Sequence, residues 1–127
     1  PNLIDELPIL FIASLFATGD SEFFGVEELR HKESDRLLAM QSGLKNIEIE
    51  TIYNSGKLTI EGKGSDYLID SGTVDSFEDH RIAMAFIIAG LRSKKNLVVK
   101  NTNCIKTSFP EFPYLLDSLG AKIDEIQ

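Results

Sequence analysis

Two stretches of this 127-residue chain have almost no polar side. In the first, Ile9, Leu10, Phe11, Ile12, Ala13, Leu15, Phe16 and Ala17 crowd a helix predicted from Asn2 to Gly19. Asp5 and Glu6 stand near its start, Pro8 fits its first turn, and Gly19 stops it. In the second, the run Ile82 to Leu91 fills a helix predicted over Arg81 to Arg92. A helix that is apolar all round must be covered on every side. The longest mostly apolar stretch, Leu7 to Ala17, is far short of the roughly 20 residues that cross a bilayer, so that cover has to come from protein.

The cover is legible in the remaining segments. Leu37, Met40 and Leu44 place one apolar stripe on a helix predicted from Ser34 to Leu44. Ile47, Ile49, Thr51 and Tyr53 alternate as a half-buried strand over Ile47 to Tyr53. Asn54-Ser55-Gly56 then turns the chain back into a partner strand, Leu58-Thr59-Ile60. Ser21 to Leu29 reads as a strand with a bulge or close approach at Gly25, and Tyr67-Leu68-Ile69 as a short extra strand. After the second apolar helix come a strand at Asn96 to Lys100, a helix at Phe109 to Leu119 and a closing strand at Ala121 to Ile126. The expected architecture is α/β, with buried helices packed under mixed sheets and amphipathic helices.

Aligning Gly43 of SGLKNIEIE with Gly120 of SLGAKIDEI gives a period of 77 residues. We therefore expect two related supersecondary units, about residues 1–76 and 77–127. The chain starts at Pro1, without an initiator methionine and directly inside a patterned segment, which suggests a piece of a longer protein.

Charge narrows the function. The net charge of −7 argues against a nucleic-acid surface, which needs a basic stripe. The single cysteine, Cys104, fits a reducing compartment, and the expected location is the cytoplasm with no membrane partner. Two histidines and one cysteine show no metal-ligand spacing, and no phosphate-cradling Gly-rich loop is present.

In so acidic a chain, cations gather at two points: Lys32-Glu33-Ser34-Asp35-Arg36, and Glu78-Asp79-His80-Arg81. Each stands at a predicted helix start, where free N–H groups and the helix dipole favour an anion. Lys32, Glu33 and Arg36 can converge if the first turn reaches them. A carboxylate between two cations suits proton transfer beside a bound anion, and Arg36 offers a planar fork for a carboxylate or phosphate. Ser34 or Asp35 caps one helix, and Asp79 the other. The competing reading is two solvated, salt-bridged helix starts, with Arg81 paired to a nearby carboxylate. Lys106, in the polar segment Asn103 to Pro110, is a further candidate for an anion.

Taken together, LIDELP, ATGDSEFFGVEELRHKESDRL, DHRIAMAF and TSFPEFPYLLDSLGAKI resemble the C-terminal part of the 5-enolpyruvylshikimate-3-phosphate synthase family, in order and spacing, from end to end. The resemblance implies the enolpyruvate transferase fold, built from βαβαββ-type units, with the remaining N-terminal part of the enzyme absent here. It implies transfer of the enolpyruvyl group of phosphoenolpyruvate to the 5-hydroxyl of shikimate 3-phosphate, in aromatic amino acid biosynthesis, without a cofactor. By motif, Asp5 is the proton acceptor and Glu33 the proton donor. Lys32 binds shikimate 3-phosphate, and Arg36, His80 and Arg81 hold phosphoenolpyruvate. Where many members carry a lysine three residues after the loop cysteine, this chain has Thr107, with Lys106 one place earlier. Glu28 stands where many members have Asn. The alternatives are an enolpyruvyl transferase acting on a UDP-sugar, and a non-enzymatic anion-binding module. Without its other part, the chain is expected to be inactive.

Overall fold

The computed structural model describes residues 3–124. A 3-10 turn, Leu3–Glu6, leads into helix α1 (Leu7–Ser14). Strand β1 (Asp20–Phe24) follows, then a 3-10 segment, Val26–His31, and helix α2 (Arg36–Asn46). Strands β2 (Thr51–Asn54) and β3 (Lys57–Glu61) form the expected hairpin, and β1 pairs with the other edge of β3, giving an antiparallel sheet ordered β1-β3-β2. Strand β4 (Gly72–Asp75), helix α3 (His80–Gly90) and strand β5 (Leu97–Lys100) make a parallel β-α-β unit, with Val74 opposite Val99. Helices α4 (Asn103–Ser108) and α5 (Phe112–Ser118) close the described chain.

The two apolar segments are the inner layer. Phe11, Ile12 and Leu15 of the first are sealed from solvent, and α1 packs on α3. Helix α3 serves two cores. Ile82, Ala85, Phe86 and Ala89 join the main cluster, with Leu37, Met40 and Leu44 of α2 and Leu58 and Ile60 of β3. Ala83, on another side, meets Ile105, Phe112 and Leu116 of α4 and α5. That double burial accounts for the missing polar face.

Element boundaries move for local reasons. Helix α1 ends at Ser14, five residues before Gly19; there the bonding tightens to i→i−3 turns and the Ser14 hydroxyl donates back to Phe11 O at 2.6 Å. Beyond it, the carbonyls of Leu15, Ala17 and Gly19 accept from Lys63, Gly64 and Gly62 instead of continuing the helix. Asn2, the predicted first residue, lies outside the described residues. The strand expected to run to Leu29 stops at Phe24: Gly25 takes φ 71°, and the 3-10 segment then turns Val26 and Leu29 into the core.

The strand expected from Ile47 begins at Thr51, because α2 runs on to Asn46 and ends in a Schellman motif. Glu48 adopts φ 66°, its N–H bonds Lys45 O at 3.0 Å, and Ile49 N–H bonds Leu44 O at 2.8 Å. Ile47 and Ile49 are buried by that cap rather than by a strand. Helix α5 ends the same way, with Gly120 at φ 94° and Ala121 N–H on Leu116 O at 3.0 Å. The local counterpart of Gly120 is therefore Glu48. Gly43 sits mid-helix, where a Cβ would overlap the Phe86 ring and meet Val74 Cγ1 at 3.0 Å.

Other segments differ more. Strand β4 is a strand that alternation did not reveal, since only Val74 of its four residues is buried. Tyr67-Leu68-Ile69 contributes a single parallel bridge, Ile69 to Ser93. The polar segment after Asn103 is helix α4, and α5 starts at Phe112 rather than Phe109. Ala121 to Asp124 form no strand; the rest of that predicted strand lies outside the described residues.

The Gly43 contact fixes how closely α2 approaches α3, and so the spacing of the two charged motifs. Gly43→Ala is expected to destabilise the fold by about 1–3 kcal/mol through overpacking, in spite of alanine's better helix propensity. Urea unfolding checks this, and adding Phe86→Leu should recover part of the loss.

Candidate active site

The site begins with two caps. Asp35 accepts from Leu38 N–H at 3.0 Å, so α2 starts at Arg36 and Lys32, Glu33 and Ser34 lie in the loop before it. Asp79 accepts from Arg81 N–H at 3.0 Å and starts α3, which puts His80 and Arg81 in its first turn. The approach to Asp79 is tightly held. Phe77 and Glu78 take φ 54° and 58°, a left-handed pair that a bulky aromatic rarely adopts. Fully buried Ser76 donates to Asn101 O at 2.6 Å, and the Asp75 carboxylate accepts from Asn101 Nδ2 at 2.9 Å and Phe77 N at 2.8 Å. Those two bonds hold the Asp75 pKa below its ordinary 3.8.

The two motifs then join. Arg36 and Asp79 are each 1% exposed, and Arg36 Nε donates to Asp79 Oδ2 at 2.8 Å across 43 residues of sequence. Ser34 Oγ donates to the same oxygen at 2.8 Å. Burial would raise the Asp79 pKa, but the bonds from Arg36 and Ser34 and the Arg36 charge outweigh it and hold it below 3.8. Each remaining end of the Arg36 fork takes another carboxylate: Nη1 meets Asp5 at 3.1 Å, and Nη2 pairs with Glu33. Lys32 Nζ lies 3.5 Å from the same Asp5 oxygen. Thus Asp5, Lys32, Glu33 and Arg36 form one connected group although helix α2 does not reach back to Glu33.

Asp5 leads from this group into a cleft of about 370 Å³. Asp5, Glu6, His80 and Arg81 form its polar end, and Ile9, Met84, Ile88, Phe109 and Phe112 are among its apolar walls. Arg81 Nη1 donates to Glu6 at 3.0 Å and to Asp5 O at 3.5 Å. Arg81 is thus paired with a nearby carboxylate, as the salt-bridged reading of the second motif expected. Lys106 lies in the last turn of α4 and is not part of the cleft lining. Burial raises the Cys104 thiol above its ordinary 9.0, leaving little thiolate at neutral pH. Among the described residues, no three His, Cys, Asp or Glu side chains form a metal-holding group, and no helix is long and apolar enough to cross a membrane.

Sequence reasoning identified Asp79 only as a cap and Glu6 only as a helix-start acid. Their long-range partners, Arg36 and Arg81, have no signature in spacing. Removing the Asp79 charge leaves a buried guanidinium short of one partner. Asp79→Asn is expected to destabilise by about 3 kcal/mol at pH 7, the low end for a broken buried pair because Asp5 and Glu33 remain. A lowered pKa contributes stability above the unfolded value and loses it as pH falls through the folded one. The difference between the two proteins in urea unfolding should therefore hold at pH 5–7 and shrink below about pH 4.

Comparison with known proteins identifies the family. The family model of EPSP synthase (3-phosphoshikimate 1-carboxyvinyltransferase) matches residues 1–116. The 3-phosphoshikimate 1-carboxyvinyltransferase of Pseudomonas sp. (strain PG2982) is 44% identical over 124 residues, which cover 98% of this chain and 28% of that protein. The enzyme of the same name from Brucella melitensis biotype 1 is 44% identical over 125 residues, with the same coverage. A solved structure of EPSP synthase from Acinetobacter baumannii superimposes with a TM-score of 0.92 at 40% identity, covering 98% of this chain and 29% of that one. The chain thus spans little more than a quarter of the length of these relatives, and its α/β fold is theirs. It belongs to the EPSP synthase (3-phosphoshikimate 1-carboxyvinyltransferase) family.

Proposed function

We propose that this chain is the C-terminal part of one enolpyruvyl transferase domain, made of two related units, and carries half of the active site. The reaction is transfer of the enolpyruvyl group from phosphoenolpyruvate to the 5-hydroxyl of shikimate 3-phosphate. The observation that carries the reading is the buried Arg36–Asp79 pair, which binds both charged motifs into one site beside a cleft.

The chemistry asks for two proton transfers. As the 5-hydroxyl oxygen attacks C2 of phosphoenolpyruvate, Asp5 takes its proton, and Glu33 gives one to C3, producing a tetrahedral intermediate. Loss of a methyl proton back to Glu33 then expels phosphate and restores the double bond. Arg36 holds Asp5 and Glu33 on the two ends of one planar fork, so the acceptor and the donor are fixed relative to each other. Lys32 supports the phosphate of shikimate 3-phosphate, His80 and Arg81 face phosphoenolpyruvate from the cleft, and Arg36 contributes charge to its carboxylate. Lys106 is a secondary candidate, replacing the lysine often found at the position of Thr107.

Charge balance also explains why the rest of the enzyme is needed. Lys32, Arg36 and Arg81 are paired with Asp5, Glu6, Glu33 and Asp79, so among the described residues these three cations bring no net positive charge for two phosphorylated substrates. The missing part must supply it. We place the enzyme in the cytoplasm, with no nucleic-acid or membrane partner.

Steady-state kinetics of the complete enzyme test this directly. Arg36→Ala and Arg81→Ala should each cost roughly 2–4 kcal/mol of transition-state stabilisation in kcat/KM. Losses below about tenfold for both would reject the assignment. The 127-residue chain alone should show no turnover with shikimate 3-phosphate and phosphoenolpyruvate. Activity with UDP-N-acetylglucosamine in place of shikimate 3-phosphate would select the sister reaction.

A further inference from the structure

The two arginines of the site are held in opposite ways. Arg36 is sealed from solvent and bonded at all three guanidinium nitrogens. Arg81 is one-third exposed and, among the described residues, bonded only through Nη1. Its partner Glu6 is half-exposed, belongs to another element, and reaches Arg81 from 75 residues away. Glu6 is the N-cap residue of α1 but makes no side-chain capping bond, so its carboxylate is spent on Arg81 instead. Both groups line the cleft.

We propose that Glu6 is a resident stand-in for an anionic substrate on Arg81. This rests on the reading of Arg81 as an anion-binding residue given above, and goes beyond it by assigning Glu6. The Glu6 carboxylate takes one prong of the guanidinium and holds it at the cleft wall. A phosphate or carboxylate able to engage two nitrogens at once outcompetes it, because two-pronged, charge-assisted bonding is stronger than the single bond Glu6 makes. An exposed pair of this kind is weak, so its displacement costs little. The displaced carboxylate stays at the amino-terminal end of α1, where the helix dipole favours it. Glu6 thereby lowers affinity for every anion at Arg81 and discriminates against those that bind through one oxygen. It is a specificity-determining residue rather than a catalytic one.

The test is a binding titration of the complete enzyme, with phosphoenolpyruvate and, separately, inorganic phosphate as probes in the absence of shikimate 3-phosphate, followed by ligand-observed NMR. Four proteins are compared: the unchanged enzyme, Glu6→Gln, Arg81→Gln and the double variant. Glu6→Gln keeps the size of the side chain and removes its charge. It should bind phosphoenolpyruvate about two- to fivefold more tightly than the unchanged enzyme. Inorganic phosphate should show a gain in the same direction, and both gains should vanish in the Arg81→Gln background. Affinity that is unchanged, weaker or undetectable in Glu6→Gln overturns the proposal, as does a gain that persists without Arg81. Arg81→Gln alone separates the two claims. If it binds as the unchanged enzyme does, Arg81 is not in the anion site and the wider reading falls. If it loses affinity while Glu6→Gln has no effect, only the role of Glu6 falls.

Discussion

A guanidinium with 1% of its surface exposed is the constraint on which this fold and site depend. A guanidinium offers five N–H donors and no acceptor, so every nitrogen of buried Arg36 needs a partner where it sits. The chain supplies them from three places: Asp79 at the start of α3, Asp5 before α1, and Glu33 in the adjacent loop. Meeting that need draws three distant segments to one point. The strained Phe77-Glu78 turn and the polar lattice around Ser76 follow from it, since they set Asp79 at the required position.

The same arrangement separates what is fixed from what can exchange. Buried Asp79 is a structural partner, with a lowered pKa that keeps it charged. Asp5 is half-buried and Glu33 exposed, so each bonds Arg36 while keeping part of its carboxylate accessible. That combination fits the proton-transfer roles proposed for them. Glu6 and Arg81, both lining the cleft, form a more exposed pair than Arg36 and Asp79.

Much of the fold was legible because burial leaves a pattern. The all-apolar helices, the Leu37-Met40-Leu44 stripe and the hairpin at Asn54-Ser55-Gly56 were all read from periodicity or turn chemistry. What escaped depends on local hydrogen bonding or long-range pairing. Ile47 and Ile49 alternate like a strand, yet a non-glycine Schellman motif buries them. Strand β4 carries too few apolar residues to announce itself. The site followed the same division. The charged motifs were visible as cations in an acidic chain, and their membership in one group was expected. The means of joining them was not, because an Asp before a helix reads as a cap whether or not a buried arginine lies behind it. Helix α2 also begins later than expected, so Lys32 and Glu33 reach the site from a loop.

The central claim is that Arg36 and Asp79 act as one unit joining the two motifs. A double-mutant cycle on stability, with Arg36→Met, Asp79→Asn and both together, measures it most directly. If the pair is the joint, losing both partners costs much less than the two single losses added, with a coupling of about 2–3 kcal/mol. Additive losses, agreeing within about 0.5 kcal/mol, would mean that the two residues are independent and that the motifs are held together by something else.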